Sequence, residues 1–121
     1  MQIVRDNAGE GLLIHSHEPG RIRVRDKYYD CPLIISRQQV QAWPADTIET
    51  LDLVQLEPAL AQRPDILLLG CGPARLQPPQ ELIADLAARG IGLEVMDSGA
   101  ACRTYNVLAC ENRSVVAALM A

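Results

Sequence analysis

The sequence predicts a single α/β domain, and three observations support this prediction. The chain has 121 residues, a length typical of one domain. Two short alternating segments flank Pro19-Gly20, which is typical of an antiparallel hairpin. Between residues 65 and 96 an apolar run, an amphipathic stretch and a second apolar run follow one another. That pattern has the length of a right-handed parallel βαβ unit, so we expect residues 1–121 to form one domain.

The charge and cysteine content exclude several classes of protein. The net charge is −4, from 11 basic and 15 acidic residues, which argues against nucleic-acid binding. The basic residues between 21 and 27 alternate along the chain and are assigned to the solvent face of a strand. None of the four cysteines forms a C-x-x-C pair, so no zinc site is indicated. No signal peptide and no membrane span are apparent, so we expect a cytoplasmic protein with reduced thiols.

The N-terminal half is predicted to be mainly β-structure. The hairpin comprises residues 11–17 and 21–26, and the aliphatic run that ends at Ile35 predicts a third strand from Tyr29. A fourth short strand is expected from Val40 to Trp43, before Pro44. Between residues 46 and 61 we expect one or two short helical turns, because Pro58 interrupts a longer helix.

The C-terminal half contains the predicted βαβ unit. Residues 65–70 and Gly92–Met96 are assigned to two buried, neighbouring parallel strands. Pro79–Arg89 is assigned to a helix that Gly90 terminates. The apolar face of this helix is expected to comprise Leu82, Ile83, Leu86 and Ala87. The centre of the core is expected to comprise Ile66, Leu67, Leu68, Leu93 and Val95.

The residues after the second strand are assigned to helix. Ser98 is the expected N-cap, and the helix is expected to bend or break at residues 111–113. Val115, Val116 and Leu119 are expected to pack in a final turn or two. The predicted order of the C-terminal half is therefore strand, helix, strand, helix.

A glycine loop is the first candidate site. Gly70, Cys71 and Gly72 follow a buried strand, at the sheet edge where α/β proteins bind ligands. Paired glycines allow backbone amides to converge on an anion. A dinucleotide fingerprint is not matched, because Arg75 stands where its third glycine belongs and the helix begins only near Pro79. We therefore expect no nicotinamide or flavin cofactor, and a simple tight turn remains the alternative.

The cysteine and histidine residues raise two further possibilities, a thiolate nucleophile and a metal site. Arg75 would lower the pKa of Cys71, but a thiolate nucleophile also needs a base. The only histidines, His15 and His17, lie in the hairpin, so a small buried cysteine is favoured. These histidines share one face of a strand as metal ligands do, but no third ligand follows from the spacing. Neither a catalytic residue nor a metal site is predicted.

Small and polar residues between 97 and 106 form the second candidate site. Asp97, Arg103, Thr104 and Asn106 either line a pocket above the sheet or anchor the helix. Anchoring is favoured for Thr104 and Asn106, because buried amides and hydroxyls require satisfied hydrogen bonds. Arg103 is expected at the surface, since its five donors are costly to bury unpaired. The predicted binding set comprises Gly70, Cys71, Gly72, Arg75, Asp97, Arg103, Thr104 and Asn106.

Four segments carry a resemblance to a known family. They are Asp65-Ile66-Leu67-Leu68-Leu69-Gly70-Cys71-Gly72, Gly90-Ile91-Gly92-Leu93-Glu94-Val95-Met96-Asp97, residues 100–108 (AACRTYNVL) and residues 111–119 (ENRSVVAAL). The chain resembles a bacterial and archaeal family of unknown function that has one mitochondrial member, an assembly factor of respiratory complex I. The resemblance is strongest from Asp65 onward. It implies a three-layer α/β fold with a mixed central sheet and no established enzyme activity.

Two hypotheses about function follow, and they belong to different classes of protein. The first is a non-enzymatic interaction or assembly factor, which would present an exposed apolar patch to another protein. The alternative is a small-molecule or anion-binding domain, possibly enzymatic, with polar side chains that converge in a concave site. The expected oligomeric state is a monomer or weak homo-oligomer.

Overall fold

The described chain forms nine strands, three α-helices and one 3₁₀ turn. This computed structural model describes residues 3–5, 11–45, 47–73 and 76–121. The first six strands are β1 Ile3–Arg5, β2 Ser16–Glu18, β3 Arg21–Val24, β4 Lys27–Asp30, β5 Leu33–Ser36 and β6 Gln39–Ala42. After them come the 3₁₀ turn Ile48–Thr50, α1 Glu57–Leu60, β7 Ile66–Gly70, α2 Gln80–Ala88, β8 Gly92–Met96, α3 Ser98–Cys110 and β9 Val115–Leu119.

The strands form two sheets. The large sheet has the order β1-β6-β5-β9-β7-β8, and β2, β3 and β4 form a small antiparallel sheet. In the large sheet β7 runs parallel to β8 and β9, whereas β5 runs antiparallel to β6 and β9. The mixed sheet, the antiparallel hairpin and the parallel pairing of β7 with β8 are confirmed.

The C-terminal strand corrects the prediction for residues 115–119. These residues form β9, a fully buried strand between β5 and β7, and not a final helical turn. The run Val-Val-Ala-Ala-Leu is short and apolar, so its sequence fits either a buried helix or a buried strand. Backbone pairing on both sides decides the outcome, as with Ile35 and Leu68, which both pair with Ala117.

Two other strand predictions need correction. The third strand predicted from Tyr29 to Ile35 is two strands, because residues 31 and 32 separate β4 in the small sheet from β5 in the large one. The strand β8 lies at the edge of the large sheet and is not fully buried. Leu93 and Val95 are consequently half-buried. Ile66, at the start of β7, is also half-buried and not central as predicted, although Leu67 and Leu68 are fully buried as predicted. β1 was not predicted.

The helical predictions hold in outline and fail at particular residues. Two short helical turns, the 3₁₀ turn and α1, occupy the middle of the chain as expected. The helix α2 follows the predicted boundaries, and Gly90 terminates it in a left-handed conformation with φ of 77°. Its buried face comprises Leu82 and Leu86, whereas Ile83 and Ala87 are exposed.

The large sheet is the middle of three layers. On one face the small sheet and α3 cover an apolar cluster that contains Ile22, Ile35, Leu68 and Tyr105. On the other face α1, α2 and the 3₁₀ turn cover a second cluster. Leu67 and Leu69 belong to this second cluster because successive strand residues point to opposite faces. The three-layer architecture is confirmed.

Candidate functional site

The three parallel strands bring their carboxyl ends to one edge of the large sheet. Backbone hydrogen bonds continue past the strand ends: the amide of Cys71 donates to the Met96 carbonyl at 2.9 Å, and the amide of Met120 donates to the Gly70 carbonyl at 2.8 Å. Asp97 follows β8 directly at the same edge. The topology therefore unites the glycine loop with the start of α3, as the sequence led us to expect.

Both glycines of the loop are required by close packing. A Cβ on Gly70 would lie 2.8 Å from Cδ2 of Leu119 and 3.0 Å from Oγ of Ser98. Gly72 has a φ of +75°, and a Cβ there would lie 2.5 Å from the carbonyl oxygen of Ala121. Its amide donates to Oγ of Ser98 at 2.8 Å, so this amide is already engaged within the protein. The loop is built for packing against its neighbours.

The cysteines are placed as structural residues. The Cys71 thiol is buried and donates to the Met96 carbonyl at 3.2 Å. Burial raises the pKa of Cys102 to about 12 and that of Cys31 to about 11, so these two thiols are protonated at neutral pH. No disulfide joins the four cysteines, all of which the structure describes. Arg75, which was expected to lie near Cys71, is outside the described residues.

The start of α3 differs from the prediction by one residue. Asp97 is the N-cap, and its Oδ1 accepts from the Ala100 amide at 2.8 Å. Ser98 is the first helical residue and is buried. Its hydroxyl accepts from the Gly72 amide and donates to the Met120 carbonyl at 3.2 Å, so it joins the loop, α3 and the residue after β9.

Two side chains of α3 anchor the segment that precedes β2. The Tyr105 hydroxyl, fully buried, donates to the Leu12 carbonyl at 2.7 Å, and burial raises the pKa of Tyr105. Asn106 bonds the backbone of Ile14 twice: Oδ1 accepts from the amide at 2.8 Å, and Nδ2 donates to the carbonyl at 2.7 Å. Both side chains therefore point away from the sheet edge and towards residues 12–14.

Thr104 and Arg103 differ from these anchors. The Thr104 hydroxyl is half-buried and donates to Sδ of Met96 at 3.5 Å, so it contacts a side chain and not the backbone as expected. Arg103 is exposed, as expected. Of the eight predicted site residues, the structure places Cys71, Gly72 and Asp97 beside open space at this end of the sheet.

An open cavity of about 370 Å³ lies on one side of the glycine loop. We call it the Gly99 cavity; it is lined by His17, Pro19, Gly20, Gly72, Pro73, Asp97, Ser98, Gly99 and Ala121. A Cβ built on Gly99 would lie 3.4 Å from Oδ1 of Asp97, 3.5 Å from Nη1 of Arg103 and 3.6 Å from Nδ1 of His17. Three polar side chains, His17 from β2 and Asp97 and Arg103 from the N-cap and second turn of α3, therefore lie close to Gly99.

A shallower hollow of about 480 Å³ lies on the other side of the loop. We call it the Leu76 groove; it is lined by Pro32, Ala45, Thr47, Ile48, Glu49, Cys71, Pro73, Leu76, Met120 and Ala121. Leu76 is 38% exposed, so a large aliphatic side chain is open to solvent at this surface. A smaller hollow beside β8 shares Cys71 and Leu76 with the groove, and its other lining residues include Gln77, Val95 and Asp97.

Sequence reasoning missed His17 and Gly99 as parts of a common site. His17 was assigned to a solvated strand, and the structure does expose it, but β2 packs over the start of α3 and brings it to Gly99. The two residues are far apart in the chain, and no local pattern in a single sequence signals such a contact. Within the described ranges no group of three His, Cys, Asp or Glu residues is placed to hold a metal ion. No helix among the described residues has the length and apolar character needed to cross a bilayer.

The chain is similar to several known proteins and to solved structures. The chain is 39% identical to the "13 kDa major membrane protein" of Francisella tularensis subsp. holarctica, over 79% of this chain and 80% of that protein. It is 29% identical to the zebrafish "NADH dehydrogenase (ubiquinone) 1 alpha subcomplex assembly factor 3", over 99% of this chain and 70% of that protein. The crystal structure of a Bordetella parapertussis protein matches with a TM-score of 0.85 at 30% identity, over 93% of this chain and 98% of that one. Residues 14–120 match the model of a protein family. The chain therefore belongs to the family described as "Protein of unknown function (DUF498/DUF598)".

Proposed function

We propose that this protein is a non-enzymatic interaction or assembly factor that binds another protein through the Leu76 groove. The observation that carries the proposal is the groove itself, a concave apolar surface with an exposed leucine at the carboxyl edge of the sheet. The zebrafish relative is named an assembly factor, which supports a partner protein for this chain as well.

The state of the reactive groups supports a non-enzymatic role. The thiols of Cys31 and Cys102 are held protonated by burial, which removes their nucleophilic form at neutral pH. The hydroxyls of Ser98 and Tyr105 are both committed to backbone carbonyls. The contacts and burial of these four groups support structural roles, which is consistent with a protein that acts through surface contact.

The test uses two charged variants at exposed aliphatic positions. Leu76→Glu places a carboxylate in the groove, whereas Val54→Glu places one at a residue that is 76% exposed and outside the groove. Each tagged protein is purified from its native host under mild detergent, and the recovered proteins are quantified. The decisive measurement is direct titration of the leading recovered protein, in purified form, with both variants.

The proposal predicts a partner that binds wild type and Val54→Glu equally and binds Leu76→Glu at least about ten-fold more weakly, the usual cost of a buried unpaired charge at an interface. A partner that binds all three proteins equally would place the interaction elsewhere. Failure of every recovered protein to bind in purified form would contradict the proposal itself.

We propose the cytoplasm as the location. The absence of a disulfide among the four cysteines supports a reducing compartment. The Francisella relative is named a membrane protein, so fractionation of cells is the appropriate measurement. Recovery of this protein in salt-washed membranes, and not in the cytosolic fraction, would refute the proposal.

A second candidate function, small-molecule or anion binding, is favoured by the polar side chains that surround the Gly99 cavity. We retain a proposed binding role for Gly72 and Asp97, which line this cavity, and for Arg103, whose Nη1 lies 3.5 Å from a Cβ built on Gly99. The contacts of Gly70, Cys71, Thr104 and Asn106 support structural roles.

A further inference from the structure

We propose that the Gly99 cavity binds a small carboxylate whose neighbouring carbon carries a hydrogen-bond donor, such as a 2-hydroxy or 2-amino acid with a short apolar body. The inference rests on the second candidate function above and is independent of protein binding by the Leu76 groove. The first observation concerns Gly99, at the centre of the site. The packing of the fold does not require a glycine at this position.

Gly99 occupies the second position of α3 and has no steric reason to lack a side chain. A Cβ there would meet its nearest neighbours at 3.4–3.6 Å, which is ordinary van der Waals contact. Alanine in a helix is more favourable than glycine. Gly70 and Gly72 are different, because a Cβ on either would collide with neighbouring atoms. The missing side chain at Gly99 therefore leaves space in the cavity that the packing of the fold does not require.

The groups around that point define the chemistry of the ligand. Arg103 and His17 are exposed, and neither side chain has a hydrogen bond or ion pair to any residue that the structure describes. A guanidinium presents two parallel donors that match the two oxygens of a carboxylate. An imidazole nitrogen within reach supplies a further donor. This side of the cavity therefore suits a carboxylate.

Asp97 supplies the opposite requirement. Its Oδ1 already accepts from the Ala100 amide, and a carboxylate oxygen has lone pairs for a second donor. A simple anion at the same point would be repelled by this carboxylate, whereas a hydroxyl or ammonium group on the ligand would be attracted. The Cβ position of Gly99 lies 3.4–3.6 Å from an atom of each of these three side chains, so a ligand seated over Gly99 lies beside all three.

The remaining walls fit a short apolar chain. Pro19, Pro73 and Ala121 contribute aliphatic surface to the lining. A volume of about 370 Å³ falls at the small end of the range for ligand sites. The α3 N-terminus adds little to binding, because the Ser98 amide donates to the Gly72 carbonyl and the Ala100 amide donates to Asp97.

The experiment compares three probes that share a linear five-carbon skeleton: pentanoate, 2-hydroxypentanoate and pentylamine. Binding to the wild-type protein is measured by amide chemical-shift titration, and the perturbed residues locate the site. The same titrations use Gly99→Ala, Arg103→Gln and His17→Gln. Arg113→Gln is the matched control, because Arg113 is an exposed arginine that borders a different hollow.

The expected result is that 2-hydroxypentanoate binds most tightly and perturbs residues of the cavity. Arg103→Gln should weaken binding by about ten-fold, the value of a charge-assisted hydrogen bond. Gly99→Ala should abolish binding while its unfolding midpoint stays equal to or above that of wild type. Arg113→Gln should bind as wild type does.

Two results would overturn the inference in different ways. If pentylamine binds best, or pentanoate equals 2-hydroxypentanoate, a ligand site remains but the proposed class is wrong. If no probe binds, or if Gly99→Ala and Arg103→Gln both bind the probes as tightly as wild type does, the Gly99 cavity is not a binding site. The second candidate function then fails with it. Neither result bears on the Leu76 groove.

Discussion

Replacing Asn106 with alanine removes both hydrogen bonds that join α3 to the backbone of Ile14. The amide and carbonyl of Ile14 lose their partners together, and Ile14 is only 6% exposed. Each buried polar group that is left unpaired costs about 1–3 kcal/mol. Asn106 itself is half-buried, so water replaces part of what is lost. We therefore expect the free energy of unfolding to fall by about 2–4 kcal/mol.

Urea unfolding of wild type and two variants measures this loss. Val107→Ala is the control, because Val107 is the next residue of α3 and is 57% exposed, so its effect should stay within about 0.5 kcal/mol. Amide exchange adds a local readout: in Asn106→Ala the Ile14 amide should exchange faster than in wild type. An Asn106→Ala protein as stable as Val107→Ala would refute the anchoring role.

A third variant separates the two bonds. Asn106→Asp retains an acceptor for the Ile14 amide, but the ionised carboxylate has no proton to donate to the Ile14 carbonyl. Below the pKa of the introduced acid, the protonated group regains a donor. The destabilisation of Asn106→Asp relative to wild type should therefore shrink as the pH falls from 7 towards about 4, near the usual carboxyl pKa. A gap independent of pH would contradict the assignment of this bond.

Three further predictions follow from packing and burial. Gly72→Ala should lower the unfolding midpoint much more than Gly90→Ala, because both have positive φ but only the first meets backbone within 4 Å; equal losses would remove the argument from close packing. Leu67→Ala should cost about 2–5 kcal/mol in urea unfolding and Leu93→Ala clearly less, since only the first is fully buried; the reverse order would contradict the edge position of β8. The raised pKa of Cys102 means that the unfolded thiol ionises first, so stability should be constant below the ordinary thiol pKa of 9 and should fall as the pH rises towards about 12. Cys102→Ala should reduce that slope, and an unchanged slope would assign the pH dependence to other groups.

The sequence predicted those parts of the fold whose signals are local. β7, α2 and β8 were located because apolar runs are separated there by proline and glycine at positions typical of helix ends. β9 was not, since Val115–Leu119 becomes a strand only through pairing with two strands that are distant in the chain. The half-burial of Leu93 was missed for the same reason, because a strand's place in a sheet is a property of the whole topology.

The candidate site divides in the same way. The position of the glycine loop and Asp97 at one edge followed from the order of strands and helices, which is readable in the sequence. The outward position of Arg103 followed from the cost of burying its charge. The meeting of His17 with Gly99 depends on how the small sheet packs over α3, and no periodicity or motif encodes that contact.

The central position of β9 also has a consequence during synthesis. The residues of β5 and β7 are synthesised before residues 115–119. In the folded sheet these two strands are joined to each other only by β9, which lies between them. A nascent chain that stops before Val115 therefore carries two unpaired aliphatic strand edges, Leu33–Ser36 and Ile66–Gly70. Open edges of this kind pair readily with other chains. Translation products that lack β9 should thus aggregate or engage chaperones, whereas a chain that includes β9 pairs both edges.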